Sequence, residues 1–565
     1  MNLPPPARIR CAVVVAFLFG AMSTASPAWA ALKLPSIFGD HMVLQRDCEL
    51  PVWGTAGAGE TVAVRIGSQT RETTADEAGK WMVRFAPLRA DGKPVKMEVK
   101  GNRGQSLRFR DVLVGDVWVC SGQSNMGMGV GAMLEKEAIV AEADQPGLRL
   151  FHIGRNVAFS PADDLPGQWV VSTPETIFAG HEKGFSAIGL RFGAALHRHT
   201  GVPVGMIQSA VGGTRIQSWS SLEMLRSLKA LPDTQKRLKS FLKKQETLPE
   251  RQREYETVAL PRWERENEAA RKARQEQTEA WKAEVEAARK AGQPEPGRPT
   301  PGQRPPRPLS PDQEFFESSV LFNGMIAPLI PYGIRGILWY QGEANAYPAL
   351  AKEYGALLSG LVSDWRQRWG QGAFPFLWVQ LPNRNGKQPE GWSLIRDAQR
   401  RALALPGTGM VVALDAGDPD DLHPRYKKPI VERLLLAARA IAYEEPVVHS
   451  GPLPRTAQEK EGRVRLTFAH VGTGLVIGSG PDLPFETAAR ARTDALYGFE
   501  VAGEDQRYHP ATAEITGERI VAGNPDVPKP RWVRYGWGQN PDPAPNLYNR
   551  EGLPASPFVS EVAPE

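Results

Sequence analysis

From about residue 111 to residue 445 the chain alternates short, wholly apolar runs with stretches of helical period. The runs are Val112 to Cys120, Val202 to Gln208, Gly336 to Tyr340, Phe374 to Gln380 and Gly409 to Asp415. Helical stretches cover Leu190 to His199 and Val431 to Tyr443. A strand that is apolar on both faces has to be covered on both faces, and intervening helices do that. The pattern therefore predicts an α/β domain around a mostly parallel sheet. Residues 229–313 interrupt it with Lys, Arg, Glu and Gln, then with repeated Pro between Gln293 and Pro311. The first part is helix-prone and the second is expected to be extended. A partner-binding coiled-coil arm is one reading. A solvated insertion is preferred, because no sustained apolar heptads run through the segment.

A chain of 565 residues is too long for one core. Residues 31–110 read as short strands, among them Leu50 to Gly54, Val62 to Ile66 and Trp81 to Phe85, several alternating apolar and polar positions as half-buried strands do. A small β-sandwich is expected there. Strands return in residues 446–565, as in Arg463 to Phe468, and the aromatic rings of the tail are expected to pack against the core. The first 30 residues carry Arg8 and Arg10, an apolar stretch from Ala12 to Phe19, and Ala28-Trp29-Ala30, the marks of a cleavable secretory signal. A periplasmic or secreted protein with no membrane span after cleavage is expected. The net charge of +5 is small for this length and does not argue for nucleic acid. Of three cysteines, Cys11 leaves with the signal; Cys48 and Cys120 are expected to stay unpaired. No Cys/His cluster has zinc-ligand spacing, and no EF-hand or P-loop pattern occurs.

Ser124, in Gly122-Gln123-Ser124-Asn125-Met126, follows the first apolar run directly and precedes a helix-compatible stretch. A serine between a buried strand and a helix start sits at the carboxyl edge of a sheet beside backbone N–H groups, a suitable place for a nucleophile. Three later stretches follow strand ends. Gly212-Gly213-Thr214 lets backbone approach a ligand closely. In Gln341-Gly342-Glu343-Ala344-Asn345, Gln341 offers a side-chain donor to an oxyanion, and Glu343 either orients its neighbours or caps the next helix. In Gly417-Asp418-Pro419-Asp420-Asp421-Leu422-His423, the imidazole of His423 can take the Ser124 proton, and Asp420 can place a carboxylate near the ring.

Together these blocks resemble those of the SGNH-type hydrolases, and specifically the sialate O-acetylesterase family of carbohydrate esterases. The segments Leu34 to Gln45 and Asn546 to Phe558 are similar to that family's two ends. The resemblance implies a flavodoxin-like three-layer α/β/α hydrolase domain flanked by β-domains. It implies an enzyme that removes acetyl groups from sugar hydroxyls without a metal or other cofactor. Ser124 would be the nucleophile and His423 the base. The oxyanion donors would be the N–H of Ser124, the N–H of Gly213 and the side chain of Gln341. The chain has Gln-Gly-Glu-Ala-Asn where the simplest SGNH pattern has Gly-x-Asn-Asp, so Asn345 is an alternative donor. Asp418, Asp420 and Asp421 compete for the acidic position, and a Ser–His dyad is a further alternative. Arg215 either pairs with a sialate carboxylate or is an ordinary surface arginine. A non-catalytic carbohydrate-binding protein and an acetylxylan-type esterase are the competing functions; the sequence does not fix the oligomeric state.

Overall fold

The computed structural model describes residues 31–180, 183–300, 302–483 and 495–564. The expected signal segment lies outside the described residues. The chain opens with β1 (Val43–Gln45), β2 (Leu50–Thr55), β3 (Thr61–Ile66), β4 (Gln69–Thr74), β5 (Lys80–Phe85) and β6 (Val95–Gly101). Strand β7 (Ser106–Gly122) then does two things. Its first half pairs antiparallel with β6, and its second half becomes the middle of the central sheet. One continuous strand thus crosses position 110, where the sequence suggests a domain boundary.

The central part continues with α1 (Ser124–Gly127), α2 (Lys136–Ala141), β8 (Gln145–His152), β9 (Trp169–Ser172), α3 (Ala187–Thr200) and β10 (Val204–Ala210). Helices α4 (Leu222–Ser227), α5 (Pro232–Glu246), α6 (Leu248–Glu254) and α7 (Leu260–Ala291) follow. Then come β11 (Gly336–Tyr340), α8 (Pro348–Trp369), β12 (Phe376–Val379), α9 (Pro389–Arg401), β13 (Thr408–Val411) and α10 (Lys428–Ala442). The strand order is β13-β12-β11-β7-β10-β8-β9. All pairings along it are parallel except that of β8 with β9, so the sheet is mixed.

Alternate side chains of each strand enter different cores. Val117, Val119, Ile337, Trp339 and Trp378 face one core, which α8 closes with Leu357, Leu361 and Trp365. Trp118, Cys120, Leu338, Tyr340 and Val379 face the other, closed by Ile188 and Phe192 of α3 and Ile430 and Leu434 of α10. Burial on both faces explains the unbroken apolar runs. Helix α3 is set by its ends: Ser186 caps the first turn by accepting from the N–H of Gly189, and Gly201 ends the last with φ 69°. Cys48 and Cys120 are both free thiols.

The insertion is helical to Ala291, then returns along α7. Trp263 donates its indole N–H to the carbonyl of Pro305 at 2.9 Å, and Trp281 to that of Pro296 at 3.0 Å. Arg307 and Arg298 lie over the same two rings. The tryptophans are separated by ~27 Å of helix rise. A polyproline-type chain covers nearly the same distance, ~28 Å, between the two prolines. At its base, the buried Glu353 carboxylate of α8 accepts from the N–H groups of Asp233 and Thr234, fastening the start of α5.

Beyond α10, Leu453–Lys460, Arg463–Ala469, Arg519–Gly523 and Thr512–Thr516 form a four-stranded antiparallel sheet. A second four-stranded sheet joins His509–Pro510, Phe499–Ala502, Trp532–Tyr535 and Phe558–Glu561. Val464, Ile520, Val533, Tyr535 and Phe558 share one core between them. Aromatic residues of the tail are therefore packing residues.

Candidate active site

The parallel strands deliver the loops after β7, β10, β11, β12 and β13 to one edge of the sheet, where ligands bind in such sheets. Ser124 follows β7 through Gly122, whose φ is 131°. A Cβ there would sit 2.2 Å from the carbonyl oxygen of Tyr340, so only glycine lets β7 end this close to β11. The N–H of Gln123 donates to the same carbonyl at 3.0 Å. Ser186, the α3 cap, donates to the Met126 carbonyl at 2.6 Å and ties the Ser124 turn to the helix behind it.

His423 lies in the loop between β13 and α10. Its Nε2 is 2.8 Å from Ser124 Oγ. Burial, and secondarily the positive charge of Lys427, lowers the His423 pKa below the ordinary imidazole value, with Asp421 opposing. A neutral ring at neutral pH is the form that accepts the hydroxyl proton.

The acidic neighbours are arranged differently from the expectation built on Asp420. Asp420 Oδ1 accepts from Asn385 at 3.2 Å, and Asp418 accepts from the N–H of Asp420. Asp421 accepts the backbone N–H of His423 at 2.8 Å and shapes the turn that presents the ring. Among the described residues no carboxylate bonds the imidazole, because the two-residue and three-residue offsets in this turn aim the carboxylates at backbone and Asn385. The side chains stand as a Ser–His pair.

Gly212, Gly213, Arg215 and Glu343 line the cleft with Ser124 and His423, in a cavity of about 810 Å³. Gln123, Tyr347, Arg384, Lys387 and Gln539 also line it; Gln539 comes from the C-terminal part. Gln341 and Asn345 do not reach it. Both are fully buried, and Gln341 Nε2 donates to Asn345 Oδ1 at 2.9 Å and to the Thr214 carbonyl at 3.1 Å. Asn345 donates to Gln217 Oε1 and accepts from the N–H of Ile216. These amides hold the wall together and present no donor to the cleft.

Glu343 does not cap α8, whose N-cap is Tyr347. Its Oε1 accepts from Asn125 Nδ2 at 2.7 Å, and burial raises its carboxyl pKa. The same Asn125 Nδ2 donates to the Leu422 carbonyl at 3.0 Å, and its Oδ1 accepts from Lys427 Nζ at 2.6 Å. Burial pushes the Lys427 ammonium down to about 7. Asn125, directly after Ser124, thereby ties the residue before His423 to a buried acid and a buried base. Arg215 is half-buried, with Nε sealed from solvent and without a hydrogen-bond partner. Burial, then the charge of Arg237, lowers its pKa. Among the described residues no group of three or more His, Cys, Asp or Glu could hold a metal ion.

Residues 114–249 and 313–430 match the family model described as carbohydrate esterase, sialic acid-specific acetylesterase. A carbohydrate acetylesterase from Xanthomonas citri, known from its crystal structure, is 32% identical with a TM-score of 0.72, over 94% of this chain and 99% of that one. The chain belongs to this family of carbohydrate esterases. The sialate O-acetylesterases of Homo sapiens and Mus musculus are each 29% identical over 476 residues, 78% of this chain and 77% and 80% of theirs. As a member, the chain is a carboxylic ester hydrolase. The gap between the two matched stretches of this esterase holds α7 and its Pro-rich return, so the arm lies outside the shared family segment.

Sequence reasoning missed Asn125, Lys427 and Arg384. Asn125 was in view as part of the Ser124 motif, but its partners lie more than 200 residues away. Lys427 stands in Tyr426-Lys427-Lys428, where nothing in the sequence marks one lysine as buried. The only signal was its place four residues after His423.

Proposed function

We propose that this esterase removes acetyl groups from sugar hydroxyls by acyl transfer through Ser124 and His423, in an SGNH-type, flavodoxin-like domain exported by residues 1–30. The 2.8 Å contact between Ser124 Oγ and His423 Nε2, at the floor of an open cleft, carries the reading. Ser124 Oγ attacks the acetyl carbonyl carbon while its proton passes to Nε2. In this reading the N–H groups of Ser124 and Gly213 receive the oxyanion. The C–O bond to the sugar breaks as Nε2 returns the proton to the leaving hydroxyl. Water then attacks acetyl-Ser124, giving its proton to Nε2; acetate departs and Ser124 recovers its proton.

Arg215, Arg384 and Lys387 line the cleft without an ion-pair partner among the described residues, and Glu343 is its one carboxylate. That balance favours an acidic sugar, as in a sialate 9-O-acetylesterase, over neutral acetylxylan. The test is acetate release by residues 31–565 from acetylated sialic acid, xylan and glucomannan fragments. Ser124→Ala should abolish release while circular dichroism stays unchanged. Sugar binding with no acetate release from any fragment would instead make the protein a lectin-like binder.

A further inference from the structure

We propose that the side-chain amide of Gln123 is an oxyanion donor, supplying the N–H that Gln341 and Asn345 keep inside the wall; this rests on the acyl-transfer reading above. Gln123 directly precedes the nucleophile and is only 2% exposed, yet it lines the cleft. Its Oε1 faces the N–H of Ala344 at 3.2 Å, the N–H of Gly342 at 3.5 Å and Nε2 of Gln341 at 3.3 Å. Two of these are backbone N–H groups, which can only donate. The atom facing them is therefore the carbonyl oxygen, and the amide cannot be turned round.

The remaining end, Nε2, has no acceptor among the described residues, and it is not one of the unpartnered atoms sealed from solvent. It opens on the cleft beside Ser124. An amide N–H held beside Ser124 with no protein acceptor is free to donate to a group bound in the cleft. The tetrahedral intermediate supplies an acceptor there. Its oxygen carries a full negative charge, so the bond is stronger in the transition state than to the neutral carbonyl of the bound ester. Gln341 acts at one remove: its amide helps fix Gln123 Oε1 and so aims Nε2. Gln123 thus takes the role that the sequence assigned to Gln341.

The experiment compares the wild type with Gln123→Glu and Gln123→Met on p-nitrophenyl acetate. The Glu variant keeps an acceptor for the N–H groups of Gly342 and Ala344 but lacks the amide donor. Both variants should lose about 10²–10³-fold in kcat, with KM within about threefold of wild type. A crystal structure of the wild type phosphonylated at Ser124 provides a reading independent of any variant's folding. Gln123 Nε2 should lie ~3 Å from a phosphonyl oxygen. A distance above ~4 Å, or a rise in KM with kcat unchanged, would overturn the assignment. A wild type that cleaves no acetyl ester would sink the esterase reading and this inference together. An active wild type matched in kcat by both variants would sink the inference alone.

Discussion

Replacing Asn125 with alanine removes three hydrogen bonds from one buried point. Two go to ionisable groups, Glu343 at 2.7 Å and Lys427 at 2.6 Å, and one to the Leu422 carbonyl at 3.0 Å. Bonds to charged groups contribute ~1.5–3 kcal/mol each and a neutral one ~1 kcal/mol, so the gross loss is ~4–7 kcal/mol. Part is recovered, because burial raises the Glu343 pKa and lowers that of Lys427. A proton moving from Lys427 to Glu343 leaves two neutral groups instead of two stranded charges. A net loss of ~3–5 kcal/mol is expected, the usual range for breaking a buried pair. That is a large share of a typical folding free energy. Urea unfolding followed by fluorescence reads it as a lower midpoint with an unchanged slope. Activity measured well below the transition should fall ~100-fold, because the Leu422 bond fixes the residue before His423 and small displacements of a catalytic group are expensive. Adding Lys427→Met to Asn125→Ala should restore part of the stability, since one stranded group is then gone. A single-variant loss under ~1 kcal/mol with activity within threefold of wild type would refute the bridging role.

Asp420→Asn should leave kcat within about threefold, because its carboxylate meets Asn385, whereas Asp421→Asn should cost more by loosening the turn at His423; equal deep losses would reject the dyad geometry. Lys427 holds its proton less tightly folded than unfolded, where its pKa is ~10.4. The unfolded state binds more protons between about 7 and that value, so this group makes stability rise with pH across the window. Melting curves of Lys427→Met should lack that rise. The same substitution removes a charge that lowers the His423 pKa, so the acid limb of the kcat/KM profile should move to higher pH. Arg215→Ala should raise KM for an acetylated acidic sugar at least tenfold and leave p-nitrophenyl acetate hydrolysis unchanged; equal effects on both would show that the arginine does not select charge.

Much of the α/β core was legible because strands buried on both faces have no freedom to be polar. The strand expected at Gly336 to Tyr340 appears at those residues, and the helix from Val431 to Tyr443 begins only three residues earlier. The strand through position 110 was not legible, since a polar-alternating half and an apolar half look like two elements until pairing joins them. At the site, Ser124 and His423 were readable from strand-end position and neighbours. The side-chain donor was not. Whether an amide at a strand end faces a cleft or a wall depends on contacts made from elsewhere in the chain. Gln341 is turned inward by Thr214 and Asn345. The partners of Asn125 and Lys427 likewise come together only when the sheet forms.

The arm built on α7 has a further consequence in its numbers. Trp263 and Trp281 stand eighteen residues apart, which is five whole turns of α-helix, so both rings lie on one face of α7. On that face each tryptophan meets one carbonyl and one arginine of the return. Removing one residue from the helix between them rotates the far ring by roughly 100° and unlatches it. The arm is thus held in register by two latches on one helix face, and an unmatched deletion between them frees its outer end.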